Sequence, residues 1–367
     1  MVNIVKCKVK FIILLVFLFL VGCGTNDEPI VQEKDAWNYE DVEILGIPED
    51  ASIYGITSEG IYYKLNNSID YSTEEPTSEN EFHFLDLSGN DRMILKKSDM
   101  NTWSIRNAGD NMILCNATED GMEVIKLSPE GNAEILFSQN APQFPFIQTY
   151  EQYMVSIRNN FVEDSNMYEN ILILRDTEKD EEKVIYRVLW DNEKAVGEDL
   201  GCVSMNNETV CFTLNKYYED KESEHILLLY DIGEEEIVER IPLQRRVYYA
   251  AYGGEESGLL LSETDDHMYL EEAGSIGYIE DSTYVETGKV PLISASNMIR
   301  KGNYVGNGYF FTTYDAAYYG DTKANKIYVY DYEWIDNNKS AIMLSGNGVS
   351  YVISDGDSTF IRTMTVE

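Results

Sequence analysis

Short apolar runs alternate with polar residues along most of the chain, and Gly, Asn, Asp and Glu separate the runs. Alternation with a period of two predicts half-buried β-strands, and no segment has the sustained 3.6-residue periodicity of a long helix. A turn followed by an aromatic or aliphatic strand recurs about every 50 residues. Its copies begin at Ile61, Met112, Tyr153, Val210, Leu259, Tyr309 and Thr359.

Seven copies at this period predict an all-β β-propeller, in which four-stranded blades surround a central channel. The second unit divides most clearly, into strands over 102–107, 111–116, 123–127 and 133–137. The last unit has only two strands, 349–354 and 359–366, so we expect residues 42–47 to supply its outer strand. Strands from both termini would then close a ring of seven blades. Six or eight blades, or a pair of β-sandwiches, remain as alternatives.

The third and fourth strands of the first two units carry a sequence motif. It reads FHFLDLSGNDRMIL over 82–95 and VIKLSPEGNAEIL over 124–136. This pattern resembles the repeats of TolB-type propellers and of the propellers in the N-terminal part of prolyl oligopeptidases and dipeptidyl peptidases. The resemblance implies a β-propeller fold. It implies little about function, because the motif is short and unrelated functions share such folds.

The first 23 residues have the features of an export signal. Lys6, Lys8 and Lys10 precede an apolar run over 11–21, which is shorter than the roughly 20 residues of a membrane-spanning helix. The run ends in Leu20-Val21-Gly22-Cys23, which resembles the lipobox of bacterial lipoproteins. The resemblance implies that Cys23 carries the lipid, with acyl chains such as palmitate. We therefore expect a signal peptide over 1–22, a flexible tether over 23–38 and the propeller over 39–367, anchored at the outer face of the bacterial cytoplasmic membrane.

The charge balance excludes one class of partner. The chain has 28 basic and 65 acidic residues, a net charge of −37. Such a surface repels phosphate backbones, so a nucleic-acid partner is not expected. Carboxylates at Asp265 and Asp266 could be offered to Ca²⁺, but no D-x-D-x-D-G loop is present. We therefore predict no metal site and no cofactor.

Long insertions mark one face of the predicted propeller. They lie between the second and third strands of five units, over 66–80, 161–170, 216–224, 264–274 and 315–324. Binding residues concentrate in such loops, and Tyr combines apolar area with a hydroxyl group. Acidic loops that only keep the protein soluble are the other interpretation. The candidate binding residues are Tyr71, Tyr168, Tyr217, Tyr218, Asp265, Asp266, Tyr269, Tyr314, Asp315, Tyr318, Tyr319 and Asp321.

Two further interpretations concern Cys and Trp. A two-residue turn at Asn206-Asn207 would place Cys202 opposite Cys211, where either a disulfide or two buried thiols could exist in an exported protein. Trp190 falls in a strand and is interpreted as packing between blades. No G-x-S-x-G motif occurs, so the sequence gives no support for a serine hydrolase.

The sequence therefore favours a non-catalytic, lipid-anchored propeller that binds an unknown protein or polysaccharide through its loop-rich face. The alternative is a glycan- or peptide-processing enzyme with acidic residues in the central funnel. The abundance of acids does not discriminate between them, because 65 acidic residues supply many chance carboxylate pairs.

Overall fold

The computed structural model describes the chain in segments. They are residues 30–33, 38–48, 50–65, 79–98, 101–118, 121–139, 146–162, 167–191, 193–253, 258–263, 272–291, 301–305, 308–312, 317–321, 326–330, 342–345, 348–355 and 358–365. Over these segments the protein consists of strands and turns, and no helix there is long and apolar enough to cross a membrane.

The first two sheets each contain four strands that pair in chain order. The first is made of β3 (Ala51–Ile56), β4 (Gly60–Leu65), β5 (Glu79–Asp86) and β6 (Asp91–Ser98). The second is made of β7 (Asn101–Ala108), β8 (Asn111–Thr118), β9 (Gly121–Leu127) and β10 (Ala133–Gln139). The turns have the expected chemistry, with Gly89, Gly109 and Gly131 at positive φ.

The third sheet has eight strands. Its first half is β11 (Phe146–Tyr150), β12 (Tyr153–Val162), β13 (Met167–Asp176) and β14 (Glu181–Asp191). Its second half is β15 (Val196–Met205), β16 (Thr209–Tyr217), β17 (Glu224–Asp231) and β18 (Glu236–Leu243). The backbone pairing between the described strands of the two halves consists of two residue pairs, Trp190 with Gly197 and Asp191 with Val196. We call the halves the third and fourth units.

Three sheets complete the structure. One contains β19 (Val247–Tyr252), β20 (Leu259–Glu263), β21 (Glu272–Glu280) and β22 (Thr283–Pro291). The next contains β23 (Lys301–Val305), β24 (Gly308–Thr312), β25 (Ala317–Asp321), β26 (Lys326–Tyr330) and, on its outer edge, β1 (Ile30–Glu33). The last contains β27 (Ile342–Ser345), β28 (Gly348–Asp355), β29 (Ser358–Thr365) and β2 (Asn38–Ile44).

The prediction of seven separate four-stranded sheets is therefore wrong. The described strands form six sheets, of which five have four or five strands and one has eight. The difference arises where the turn between β14 and β15 is tight enough for the two strands to pair. Within the segment predicted as a tether, Ile30–Glu33 pair in parallel with Lys326–Val329 and extend a sheet.

The last sheet combines strands from both ends of the chain. Strand β2 pairs antiparallel with β29, from Asn38 opposite Thr365 to Ile44 opposite Thr359. The expected closure is thus found, with the outer strand a few residues earlier than 42–47. Arg362 donates from Nε and Nη2 to the two carboxylate oxygens of Asp41 at 2.6 Å each. These hydrogen bonds hold the pKa of Asp41 below its ordinary value.

Apolar side chains fill the space between neighbouring sheets. One cluster joins Ile61, Tyr63 and Leu85 of the first sheet to Val352 and Ile361 of the last. Another joins the third and fourth units through Leu172, Leu214, Phe212 and their neighbours. Between the first two sheets, the buried Tyr62 hydroxyl donates to the carbonyl oxygens of Asp110 at 2.8 Å and Leu127 at 3.2 Å. Neighbouring sheets thus pack face to face in chain order, and the last sheet packs against the first.

Candidate functional site

The described part of the loop-rich face lies on the third and fourth units. We call one end of each unit the b–c edge. It is the end at which the chain passes from the second strand to the third. In the third unit β12 and β13 stay paired out to Val162 and Met167. In the fourth unit β16 ends at Tyr217 and β17 begins at Glu224. The predicted insertion over 161–170 is therefore mostly strand, and residues 218–223 connect the strands of the fourth unit.

An aromatic row follows this b–c edge across both units. Phe161 lies opposite Tyr168 with ring centroids 5.1 Å apart, and Tyr168 lies opposite Trp190. Trp190 contacts Tyr217 edge to face at 5.3 Å. The Tyr217 ring lies 6.3 Å from His225. We call Phe161, Tyr168, Trp190 and Tyr217 the aromatic row. It connects the third unit to the fourth.

Gly197 permits the contact between the units. It lies opposite Trp190 at the start of β15, with φ of +127°. A Cβ atom there would lie 2.5 Å from the Leu189 carbonyl oxygen. A side chain would therefore push β14 and β15 apart, and Trp190 would move away from Tyr217.

A row of polar side chains lies two residues further in along the same strands, on the same face of the sheet. Asn159 is opposite Asn170, and Asp199 is opposite Asn215, which in turn is opposite His225. Asn170 donates from Nδ2 to Asp199 Oδ1 at 3.2 Å, across the gap between the units. His225 Nδ1 donates to Asn215 Oδ1 at 2.8 Å. We call Asn170, Asp199, Asn215 and His225 the polar row.

Two buried oxygen atoms at the polar row have no hydrogen-bond partner among the described residues. They are Asn170 Oδ1 and Thr213 Oγ1, and the side chains that carry them are 7% and 0% exposed. Gly201 lies opposite Thr213. A Cβ atom on Gly201 would be 3.2 Å from Thr213 Oγ1 and 3.5 Å from Asn215 Nδ2. A side chain at position 201 would be crowded by these atoms, so Gly201 allows Thr213 and Asn215 to pack closely against β15.

The ionisable groups here are perturbed by burial. Burial raises the pKa of Asp199, and the nearby Arg246 together with hydrogen bonds from Leu200 and Asn170 offsets this only in part. Burial also raises the pKa of the Tyr217 hydroxyl, with Arg246 acting against it and Asp199 adding to it. Tyr217 therefore stays a neutral hydroxyl group.

A cleft of about 310 Å³ opens beside Tyr217. Its lining residues are Val196, Gly197, Glu198, Lys216, Tyr217, Tyr218 and Glu219. Lys216 pairs with Glu198 at 2.8 Å, so one wall is charged but balanced. Tyr218 is 36% exposed, and the Lys221 ammonium group lies 3.7 Å from its ring centroid. The cleft is accessible from the b–c edge.

Three predicted binding residues, Tyr168, Tyr217 and Tyr218, thus lie at one site. Tyr319 does not belong to a binding face, because it is 1% exposed in β25 and its ring stacks near Tyr328. Tyr318 and Asp321 are in the same strand, and their side chains are outside the described residues. The other predicted residues also lie outside the described residues: Cys23, Tyr71, Asp265, Asp266, Tyr269, Tyr314 and Asp315.

The predicted alignment of Cys202 with Cys211 is not found. Cys211 is a buried free thiol and lies opposite Ser204. The register differs from the predicted one because Met205 pairs with Val210, and Asn206 Oδ1 accepts hydrogen bonds from the amides of Glu208 and Thr209 in the turn. Burial raises the pKa of Cys211 to about 12, so it is an unreactive thiol at neutral pH. Cys115 is likewise buried and free.

Sequence reasoning did not single out the polar row. Its signal is the presence of Asn at strand positions where alternation predicts an apolar side chain, as at Asn170 and Asn215. Trp190, interpreted as packing, does contact the neighbouring unit but also belongs to the aromatic row. Among the described residues no group of three or more His, Cys, Asp or Glu side chains could hold a metal ion.

Comparison with solved structures identifies the fold of this chain. The β-propeller domain of the Trilobed protease from Pyrococcus furiosus, described as having an open velcro topology, matches with a TM-score of 0.52. The match covers 88% of this chain and 95% of that domain, at 11% sequence identity. This chain has a β-propeller fold. Sheets of four or five strands are accordingly its blades.

A second similar structure is the acylaminoacyl peptidase of Pyrococcus horikoshii, with a TM-score of 0.50 and 12% identity. The match covers 84% of this chain and 51% of the peptidase, so the chain spans about half of that protein's length. No protein-family model and no curated protein matches the chain. At these identities the likeness concerns the fold alone.

Proposed function

We propose that this protein is an extracytoplasmic lipoprotein, anchored through Cys23, whose propeller binds a ligand at the b–c edge without catalysis. In this proposal the eight-stranded sheet counts as two blades, so the ring has seven. The two halves support this count, since each has four strands in chain order and the backbone pairing between their described strands consists of two residue pairs. The short apolar segment before Cys23 supports the anchor.

The observation that carries the binding proposal is the aromatic row beside the cleft. Phe161 is 48% exposed and Tyr218 36% exposed, whereas the aromatic side chains Tyr62 and Phe212 are fully buried between blades. Exposed aromatic groups next to a concave surface are typical of binding sites. The charged pairs around the cleft leave it polar at its rim, as in protein and ligand interfaces.

Site-directed photo-crosslinking in the native cells tests this proposal. A benzophenone amino acid replaces Tyr218 at the b–c edge, and in a matched control it replaces Tyr278. Tyr278 is 40% exposed but lies three residues before the β21–β22 turn, at the opposite end of its blade. We expect a specific crosslinked species from position 218 alone. Equal products from both positions, or none from position 218, would contradict the binding proposal.

The lipid anchor has its own test, the Cys23→Ser variant. Without the thiol no thioether to a lipid can form, so we expect loss of radiolabelled palmitate and accumulation of the uncleaved precursor. Cys7→Ser is the control, because Cys7 lies before the apolar run and should leave labelling unchanged. Labelling and processing are measured by gel autoradiography. Full labelling of the Cys23→Ser variant would exclude this residue as the anchor.

One observation favours an enzyme as the second candidate. Asp199 lies on β15, the first and innermost strand of its unit, and burial raises its pKa. A carboxyl group with a raised pKa is suited to general acid catalysis. The named peptidases share only the fold, so this candidate rests on Asp199 alone.

A further inference from the structure

We infer that the aromatic row and the polar row together form a subsite for a neutral glycan. The inference deepens the proposed function, on which it rests, by assigning the chemical class of the ligand. Each part of a sugar ring has a counterpart here. The apolar C–H face of the ring would lie against the aromatic groups, and its hydroxyl groups would reach the polar row.

The aromatic part of the subsite is held in place by the backbone. Tyr168 and Trp190 are opposite each other on paired strands, and Tyr217 contacts Trp190 from the next unit at 5.3 Å. Trp190 and Tyr217 are neither fully buried nor fully exposed. Their rings therefore offer apolar area that is fixed before a ligand binds, at a low cost in side-chain entropy.

The polar part is rich in hydrogen-bond acceptors. Asn170 Oδ1 has no partner among the described residues, although the residue is more than nine-tenths buried. The Nδ2 atom of the same side chain donates to the Asp199 carboxylate, so the two acceptors lie close together. A ligand with several hydroxyl donors matches this set, because each hydroxyl can both donate and accept.

Charge and size restrict the ligand further. The net charge of −37 disfavours an anionic polymer. Arg246 lowers the pKa of Asp199 in part and so offsets some of the attraction of this carboxyl group for a cation. The adjoining cleft of about 310 Å³ is at the small end of ligand pockets, which suits one end of an oligosaccharide. A neutral glycan therefore fits the charge and the size of this subsite.

The test measures retention of the full chain, purified in a detergent without a sugar headgroup, on immobilised neutral oligosaccharides. The probes are oligomers of glucose, mannose and N-acetylglucosamine, and heparin serves as the anionic control. We expect millimolar or tighter binding to at least one neutral probe and none to heparin. Truncation of a central aromatic residue should weaken binding about tenfold, so Trp190→Ala and Tyr217→Ala are compared with Tyr278→Ala.

Each outcome decides a separate point. Binding that Trp190→Ala and Asn170→Ala both weaken, with thermal unfolding unchanged, supports the glycan subsite. Absence of binding to every neutral probe overturns it. If a protein is nevertheless crosslinked from position 218, the glycan class fails while the proposed binding function stands. Shortened oligosaccharides, produced by the wild type and not by Asp199→Asn, would support the enzyme instead of the binding protein.

Discussion

Gly60→Ala is expected to destabilise the propeller by about 3 kcal/mol, because the first residue of β4 leaves no room for a side chain. A Cβ atom on Gly60 would collide with the carbonyl oxygen of Leu85 and lie 2.9 Å from Asp86 Cα. All these atoms belong to the backbone of β5, so no side-chain rotation relieves the contact. The strands must separate where Gly60 pairs with Asp86.

The turn before Gly60 prevents this residue from moving away from Leu85 without cost. The amide of Gly60 donates to Thr57 Oγ1 at 3.1 Å, and its carbonyl oxygen accepts from the Thr57 amide at 2.8 Å. Thr57 and Gly60 are both buried. Movement of Gly60 away from Leu85 therefore costs hydrogen bonds as well as packing.

Gly233→Ala is the matched control for this prediction. Its Cβ atom would be 3.4 Å from Asp231 Oδ1, an ordinary contact in an exposed turn. We expect a change within about 0.5 kcal/mol. Equilibrium unfolding in urea, followed by fluorescence, gives both values. A Gly60→Ala variant as stable as Gly233→Ala would mean that β4 and β5 can separate at no cost.

The same glycine contact explains why the repeat was readable from the sequence. Gly258 immediately precedes the second strand of its blade and Gly308 begins that of the next. A Cβ atom on either would collide with a carbonyl oxygen of the third strand, at Gly277 and Gly320 respectively. A glycine followed by apolar residues thus recurs because of close strand approach. In the second blade, where turns are short and rich in Gly, the predicted strands differ from the observed ones by at most two residues at either end.

Features that depend on pairing between distant strands could not be predicted in this way. Nothing local in Ile30–Glu33 indicates that they pair with β26 almost 300 residues later. The adjacent residues Tyr318 and Tyr319 break simple alternation and were interpreted as a loop, yet pairing with β24 and β26 makes them a strand. The join between β14 and β15 likewise depends on strand pairing, because Asp191, which accepts from the amides of Glu193 and Lys194, indicates a turn but not whether the flanking strands pair.

The binding site was predictable only at its surface. Tyr168, Tyr217 and Tyr218 were found because exposed Tyr residues stand out in polar loops. The buried Asn170 and Asp199 were not found, because a polar residue at an apolar strand position does not indicate which residue, here 29 positions away, it bonds. Their significance lies in the Asn170 oxygen atom that remains without a partner, which only the packing of two units determines.

Arg175→Met should also be strongly destabilising, by about 3 kcal/mol. Arg175 is 7% exposed and donates to the Leu136 carbonyl oxygen at 3.2 Å and to Glu182 Oε1 at 2.7 Å, and it pairs with Asp180. It thereby links the second blade to the third unit. Met fills much of the same volume but leaves the Leu136 carbonyl without the Arg175 donor, and Glu182 loses one of the two cationic partners that it has among the described residues, keeping Arg158.

The pH dependence distinguishes the ion pairs from packing. Burial raises the pKa of Glu182, but hydrogen bonds and charge from Arg158 and Arg175 outweigh this, so its pKa is lowered on folding. A lowered pKa stabilises the fold above the unfolded value of about 4.3, and this contribution is lost as the pH falls further. The stability difference between the wild type and Arg175→Met should therefore shrink below about pH 4.

Arg187→Met is the control for Arg175→Met, because Arg187 pairs with Glu169 at 3.0 Å while its own side chain remains 54% exposed. An exposed pair contributes about 0–1 kcal/mol, so the control should be almost as stable as the wild type. Urea unfolding at pH 7 and pH 3.5 measures both variants. Equal losses for the two variants at pH 7 would show that burial of Arg175 contributes nothing. A loss for Arg175→Met that is unchanged at pH 3.5 would attribute it to packing and to the Leu136 carbonyl.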